Sequence, residues 1–452
     1  MSTCIRKNVR SLREPPPRML TNIASTLSRQ LYSVLISFAF VLVIARHFGP
    51  EGNGQYTIAM LLPTMLATFL NLGIAPATVY YVARGDLTLT KAIQLNIRLW
   101  IALAILGTVL GVVLLAVFGG ALFPGAPATS LTLSLFCFPL LLFQQLLGSL
   151  LQARQAFGLF NLTLLIPPSA TLAAVYILVF LFPLGVIGAL LSFIVGQLFG
   201  CVATWWAVSR LKRRDPAMSK LEEYNHTSAR DLLSFGWKAH ASNILTFINY
   251  RADVFLINIY LSPASTGIYM VAVQLAERLW ILSTAVSTVL LPRLSELHTN
   301  TELQHGLTAI VSKSVFAISL VASIILAIAA TPLIQFLFGE SFVSASRALL
   351  WLLPGIVLGS ASRILSNYLA ALGKPELNMY TAFLTASINV GANIVLIPSQ
   401  GIIGAAQATT LAYIVNFFAK AILFARFTNL AWWQTILPTL NDLQTLIKMR
   451  RQ

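Results

Sequence analysis

Charge is scarce in this chain. Asp, Glu, Lys and Arg make up 10% of 452 residues, against roughly 25% in a soluble globular protein. A soluble fold of this length could not cover its surface with so few charges. Acid is scarcer still, with 14 Asp+Glu against 30 Lys+Arg. The three cysteines (Cys4, Cys137 and Cys201) have no metal-ligand spacing, and two lie in apolar runs. That excludes a disulfide framework and a zinc site. There is no P-loop, no Gly-rich dinucleotide fingerprint and no HExxH, so neither an enzyme nor a cofactor is expected. The first eighteen residues are basic and Pro-interrupted, and no small-residue cleavage pattern follows them. This reads as a cytosolic tail before an uncleaved first span, not a secretory signal.

What is present is apolar. Hydrophobic residues make up 57% of the chain and mean hydropathy is +0.80. A bilayer core of about 30 Å needs about 20 apolar helical residues. On that measure twelve membrane spans are predicted: 22–46, 55–82, 92–118, 129–152, 157–182, 185–208, 234–260, 266–291, 308–337, 345–372, 378–397 and 402–426. The breaks carry turn chemistry, as in GPEG at 49–52, LSP at 261–263 and GKP at 373–375.

The net charge of +16 is explained by a positive-inside bias, and no nucleic-acid partner is expected. Arg6, Lys7, Arg10, Arg13 and Arg18 fall on one side, with Arg84, Lys91 and Arg154. The 209–233 stretch, Arg293, Lys374 and the tail Lys448, Arg450 and Arg451 share it, while the opposite loops offer only Arg46 and Arg347. Both termini are therefore predicted to be cytosolic. Trp432 and Trp433, followed by spaced apolar residues and the basic tail, predict a helix on the cytosolic membrane surface.

The chain repeats itself. Pro50, Gly54, Tyr56 and Ala59 match Pro263, Gly267, Tyr269 and Ala272 at an offset of 213, and GVIGA (185–189) recurs as GIIGA (401–405) at 216. Each half then holds six spans, and an even number gives both halves the same orientation. The fold class expected is an all-α integral membrane protein with about 12 transmembrane helices in two six-helix lobes around a central cavity. Its divisions are a basic tail (1–19), an N-lobe (20–208), a cytosolic linker (209–233), a C-lobe (234–427) and an amphipathic basic segment (428–452).

RHFGPEGNGQY (46–56), NYRADVFLINIYLSPASTGIYMVA (249–272), LPRLSEL (291–297) and NVGANIVLIPSQGIIGAAQAT (389–409) carry a family resemblance in their order and spacing. Over roughly residues 20–427 the chain resembles the polysaccharide-repeat (O-antigen type) flippases of the multidrug/oligosaccharidyl-lipid/polysaccharide exporter superfamily. The resemblance implies a basic central cavity that moves undecaprenyl-diphosphate-linked oligosaccharides from the cytosolic to the periplasmic leaflet of the bacterial inner membrane. Its partners would be the polyprenyl-diphosphate-linked glycan and the lipid bilayer, with a polysaccharide polymerase and glycosyltransferases as further possibilities.

Ionisable groups inside a span cost at least about 2.5–3.5 kcal/mol and are functional candidates by default. At about 1.5 Å per residue, Arg29 lies about 16 Å beyond Arg18. Arg251 and Asp253 lie about 20 Å and about 22 Å beyond Lys238, Glu277 and Arg278 about 21–22 Å before Pro292, and Arg363 about 16 Å before Lys374. In one reading Arg29, Arg251, Arg278 and Arg363 bind the substrate diphosphate, since guanidinium presents a planar fork of donors. In the other, the C-lobe charges compensate each other as Arg251–Glu277 and Asp253–Arg278 pairs. Asp253 and Glu277 are thus charge-pair or ion-coupling candidates.

Two other activities of the same superfamily compete. A cation-coupled multidrug antiporter needs a membrane carboxylate, and the first six spans have none in their interiors. A lipid II flippase usually carries two further C-terminal spans. A membrane glycosyltransferase or polymerase would need acidic residues in large outer loops, which are too short here.

Overall fold

The computed structural model describes residues 17–214, 228–297, 300–428 and 430–437. Described residues form thirteen α-helices and no strand. With no water in a bilayer core, a spanning backbone must satisfy its own polar groups, and a helix does so within one segment.

Helix α1 (Pro17–Leu70) and helix α13 (Pro375–Thr428) each run 54 residues and each is two helices joined across a kink, at Gly49 and Gly401 respectively. Pro50 follows the first kink, and its ring and missing N–H break the ladder there. Between these two lie α2 (Ile74–Arg84), α3 (Leu89–Leu122), α4 (Ala128–Leu135), α5 (Cys137–Ala153) and α6 (Phe157–Val175), with a π-helical turn Tyr176–Leu181. They are followed by α7 (Gly185–Arg214), α8 (Ala229–Tyr260), α9 (Pro263–Arg278), α10 (Trp280–Glu296), α11 (Thr301–Phe338) and α12 (Ala345–Ala371). Gly185 and Gly401, the matched glycines of the repeat, have nearly the same φ, 62° and 61°.

Among the described residues, eight helices are long and apolar enough to cross a membrane, or nine if the bent pair α9–α10 (42°) is one span. Large apolar side chains face outward, among them Ile328 (79% exposed) and Phe336 (76%). Such faces suit lipid, not water, and the chain is a multi-pass membrane protein. The twelve expected spans differ from eight for local reasons. The two 54-residue helices each merge two expected spans, the second of the first pair running on into α2, α8 carries too many polar groups to pass on apolarity, and 266–291 falls across the bent pair α9–α10.

The core follows the order of the chain. Ile58, Leu62, Leu142, Leu146 and Ala207 bury one another within the first half. Tyr269, Phe338, Leu349 and Tyr413 do so in the second, beside a further cluster around Leu290, Tyr368 and Phe424. The halves meet through the two copies of the repeat motif. The Asn53 amide donates to the Gly267 carbonyl at 2.9 Å. A Cβ on Gly54 would stand 1.7 Å from the Pro263 carbonyl oxygen, and one on Gly267 2.1 Å from that of Pro50. Only glycine allows backbones this close.

The expected basic tail lies largely outside the described residues, as do the centre of the linker and the surface helix beyond 437. Trp432–Thr435 forms one 3-10 turn, with the Trp432 ring 5.2 Å from that of Phe418.

Candidate functional site

Arg251, Asp253, Glu277, Arg363 and Lys420 lie where α8, α9, α12 and α13 pack. Arg251 on α8 meets Glu277 on α9, Nη1 to Oε1 at 3.3 Å, and also donates to the Tyr250 carbonyl at 3.0 Å. Both side chains are about 30% exposed, 33% and 28%, so the pair is neither sealed nor fully hydrated.

Asp253 forms no ion pair among the described residues. It is 3% exposed, and hydroxyls bond to its carboxylate: Tyr269 donates at 2.6 Å and Thr409 at 3.1 Å. The Val254 N–H adds a bond of 2.7 Å. Asn389 donates to Thr409 at 3.3 Å, and Asn393 to the Asn389 carbonyl at 2.8 Å, which extends the network along α13. A cavity of about 10 Å³ lies beside it, lined by both Asp253 and Glu277, close to the space one water molecule needs.

The expected Asp253–Arg278 pair is not formed. Successive helical residues point about 100° apart, so once Glu277 faces Arg251, Arg278 points toward α1. Its guanidinium lies 5.5 Å from the centroid of the Phe38 ring, and its Nε is buried with no hydrogen-bond partner. Arg29 lies on α1, and its side chain is outside the described residues.

Arg363 opens onto a different space. It donates to Thr284 at 2.6 Å and lies over the indole of Trp280, 5.0 Å from the ring centroid. Beside it is a cavity of about 270 Å³ between α8, α12 and α13. Its walls carry Ser242, Thr246, Asn249, Ser362, Asn378, Thr385, Asn416 and Lys420, with Tyr250, Trp280 and Tyr413 as aromatic surfaces. Lys420 is 8% exposed. Sequence reasoning missed it, although an available signal marked it: a lysine six residues inside Arg426, within the expected span 402–426.

The charges are thus split between a carboxylate held by hydroxyls, a half-buried ion pair, and two cations on a polar cavity. Among the described residues no group of three or more His, Cys, Asp or Glu side chains is placed to hold a metal.

Comparison with known proteins agrees with the sequence resemblance. A probable low-salt glycan biosynthesis flippase, Agl15 of Haloferax volcanii, is 27% identical over 248 residues, 53% of this chain but half the length of that protein. A putative O-antigen transporter of Shigella flexneri is 23% identical over 408 residues, covering 87% of this chain and 94% of its own. Among solved structures, the lipid II flippase MurJ in an inward closed conformation superposes with a TM-score of 0.71 at 16% identity, over 95% of this chain and 92% of that one. An inward-facing multidrug resistance MATE family transporter of the MOP superfamily gives 0.70 at 16% identity, over 89% and 96%. These two likenesses establish the fold. The model of one family, described as polysaccharide biosynthesis protein, matches residues 43–347, and the chain belongs to that family.

Proposed function

We propose that this chain is an alternating-access flippase. It carries undecaprenyl-diphosphate-linked oligosaccharide repeat units from the cytosolic to the periplasmic leaflet of the bacterial inner membrane, for surface polysaccharide biosynthesis. The observation that carries the reading is a polar cavity bearing Arg363 and Lys420 within a helical membrane bundle, in a member of a polysaccharide biosynthesis family. Relatives named as a glycan flippase and an O-antigen transporter point the same way.

The architecture that goes with it is twelve spans in two six-helix lobes, 20–208 and 234–427, with both termini cytosolic. Splitting α1 and α13 at their kinks, joining α2 to the end of α1, and counting α8 as a span supports this number. Arg278, with a buried Nε lacking a partner, and Arg363 are the better placed of the four arginine candidates for diphosphate oxygens. Arg251 is engaged by Glu277.

A second reading, cation-coupled drug export, is favoured by one observation: Asp253 is a buried carboxylate held by two hydroxyls and a backbone N–H and, among the described residues, not by a direct ion pair. We take this group as the coupling carboxylate of the flippase itself. In a host that makes the glycan, deletion should cause lipid-linked repeat units to accumulate and the plasmid-borne chain should clear them. A deletion that changes only drug tolerance would decide for the second reading.

A further inference from the structure

The α8–α12–α13 cavity holds more unmet bonding capacity than a structural void needs. Lys420 is 8% exposed and has no ion pair or hydrogen bond among the described residues. No Asp or Glu lines the cavity, and Arg363 adds a second positive charge. Leaving an ammonium buried without a counter-charge is costly. An anion in the cavity would remove that cost.

Charge is only half of the pattern. The amide oxygens of Asn249, Asn378 and Asn416 are buried and lack donors. A carboxylate or a phosphodiester brings acceptors alone and leaves these three unmet; ring hydroxyls bring the donors they need. The cavity, about 270 Å³, falls just below the roughly 300 Å³ at which ordinary ligand pockets begin. It suits one ring, not a whole oligosaccharide with its lipid diphosphate.

Placement fits a loading site. Arg363 lies eight residues before the end of α12 at Ala371, and Lys420 eight residues before the end of α13 at Thr428. Both are thus about 12 Å inside the same end of the bundle, the end predicted to face the cytosol.

We propose that this cavity is a subsite for a single anionic sugar: a hydroxylated ring carrying one carboxylate or phosphate, whose charge meets Lys420 and Arg363 and whose hydroxyls donate to the three asparagines. The proposal rests on the flippase reading and says which part of the glycan the second half of the chain holds. The charge could belong to an acidic sugar of the repeat or to the sugar phosphate next to the lipid.

The test uses the full chain in lipid nanodiscs, with methyl glucuronide, glucose 1-phosphate and methyl glucoside as probes and the thermal unfolding midpoint as readout. Binding to the folded state raises the midpoint with the logarithm of one plus the ratio of ligand concentration to Kd, so a concentration series yields Kd. At least one anionic probe should bind saturably, and tenfold or more tighter than the neutral glucoside. Lys420→Met should weaken that binding about tenfold without changing the glucoside, and Lys420→Arg should restore most of it. Glucuronide alone would assign the site to an acidic sugar, and glucose 1-phosphate alone to the lipid-proximal sugar. Equal binding of all three probes, or binding of none, overturns the proposal. In the deletion strain, export by Lys420→Met equal to wild type at equal abundance also overturns it and leaves the flippase reading intact. Failure of the wild-type chain to clear the accumulated lipid-linked glycan would instead remove the flippase reading itself.

Discussion

Asp253 and Glu277 line the same cavity of about 10 Å³, yet among the described residues Glu277 forms an ion pair and Asp253 does not. Glu277 belongs to an ion pair with Arg251, while Asp253 accepts hydroxyls from Tyr269 and Thr409. Two carboxylates at one depth are therefore held differently: one in a direct ion pair, the other by direct hydrogen bonds.

This difference can be read by mutation. Arg251→Ala leaves Glu277 without its partner, and Glu277→Ala does the same to Arg251. Each single variant should lower abundance and export more than the double variant does, because the double strands no charge. With both groups about 30% exposed, the coupling should be modest, about 1 kcal/mol in a double-mutant cycle on the unfolding midpoint. Asp253→Ala and Arg278→Ala, which share no contact, should be additive. Additivity in the first pair, or recovery in the second, would contradict the geometry.

Asp253→Asn keeps the shape of the side chain and removes its charge. If the carboxylate couples transport to a cation, this variant should reach the membrane at near-normal abundance, lose tenfold or more of its export, and stop responding when the gradient is collapsed. The measurement is lipid-linked glycan turnover in vesicles with and without an imposed gradient. An Asp253→Asn variant that still follows the gradient would move coupling elsewhere.

Local chemistry was readable in the residues, and direction was not. Pro50, Gly401 and Pro263 marked real helix breaks, since glycine and proline act through their own backbones. The Arg251–Glu277 pair was also within reach, because helix geometry alone places the two groups face to face. Arg278 was not: once Glu277 faces Arg251 it turns toward α1 and Phe38, far away in the chain. Thr409, 156 residues from Asp253, is another partner that only the packed bundle brings into place. Lys420 could have been found by the rule that picked out Arg363, but it sits nearer the expected interface and is easily taken for a residue that snorkels.

Orientation has a direct check. The stretch 209–233 is predicted to be cytosolic from its density of Lys and Arg. Cysteines introduced at Ser219 and Asn225, in a background lacking the native three, should resist an impermeant thiol reagent in intact cells and react after lysis. Ready labelling in intact cells would invert the topology and put the Lys420 end of the bundle on the outside.

The contact between the two repeat motifs makes the last prediction. Gly54 lies against the Pro263 carbonyl and Gly267 against that of Pro50, so the same motif closes on its own copy across the two halves. The neighbouring atoms are backbone and cannot swing aside, so a side chain at either glycine must push the halves apart at that end. Gly54→Val or Gly267→Val should therefore leave the cores of each half intact while holding this end open. Thr266, fully buried at 0% exposure, reports the change: in a background lacking the native cysteines, Thr266→Cys should be unreactive toward an external thiol reagent and become reactive when Gly54→Val is added. Export should fall tenfold or more with abundance near normal, because the proposed alternating access requires this end to close as well as open. Unchanged labelling together with normal export would show that the halves separate here at no cost, and that the glycine contact is not part of the transport cycle.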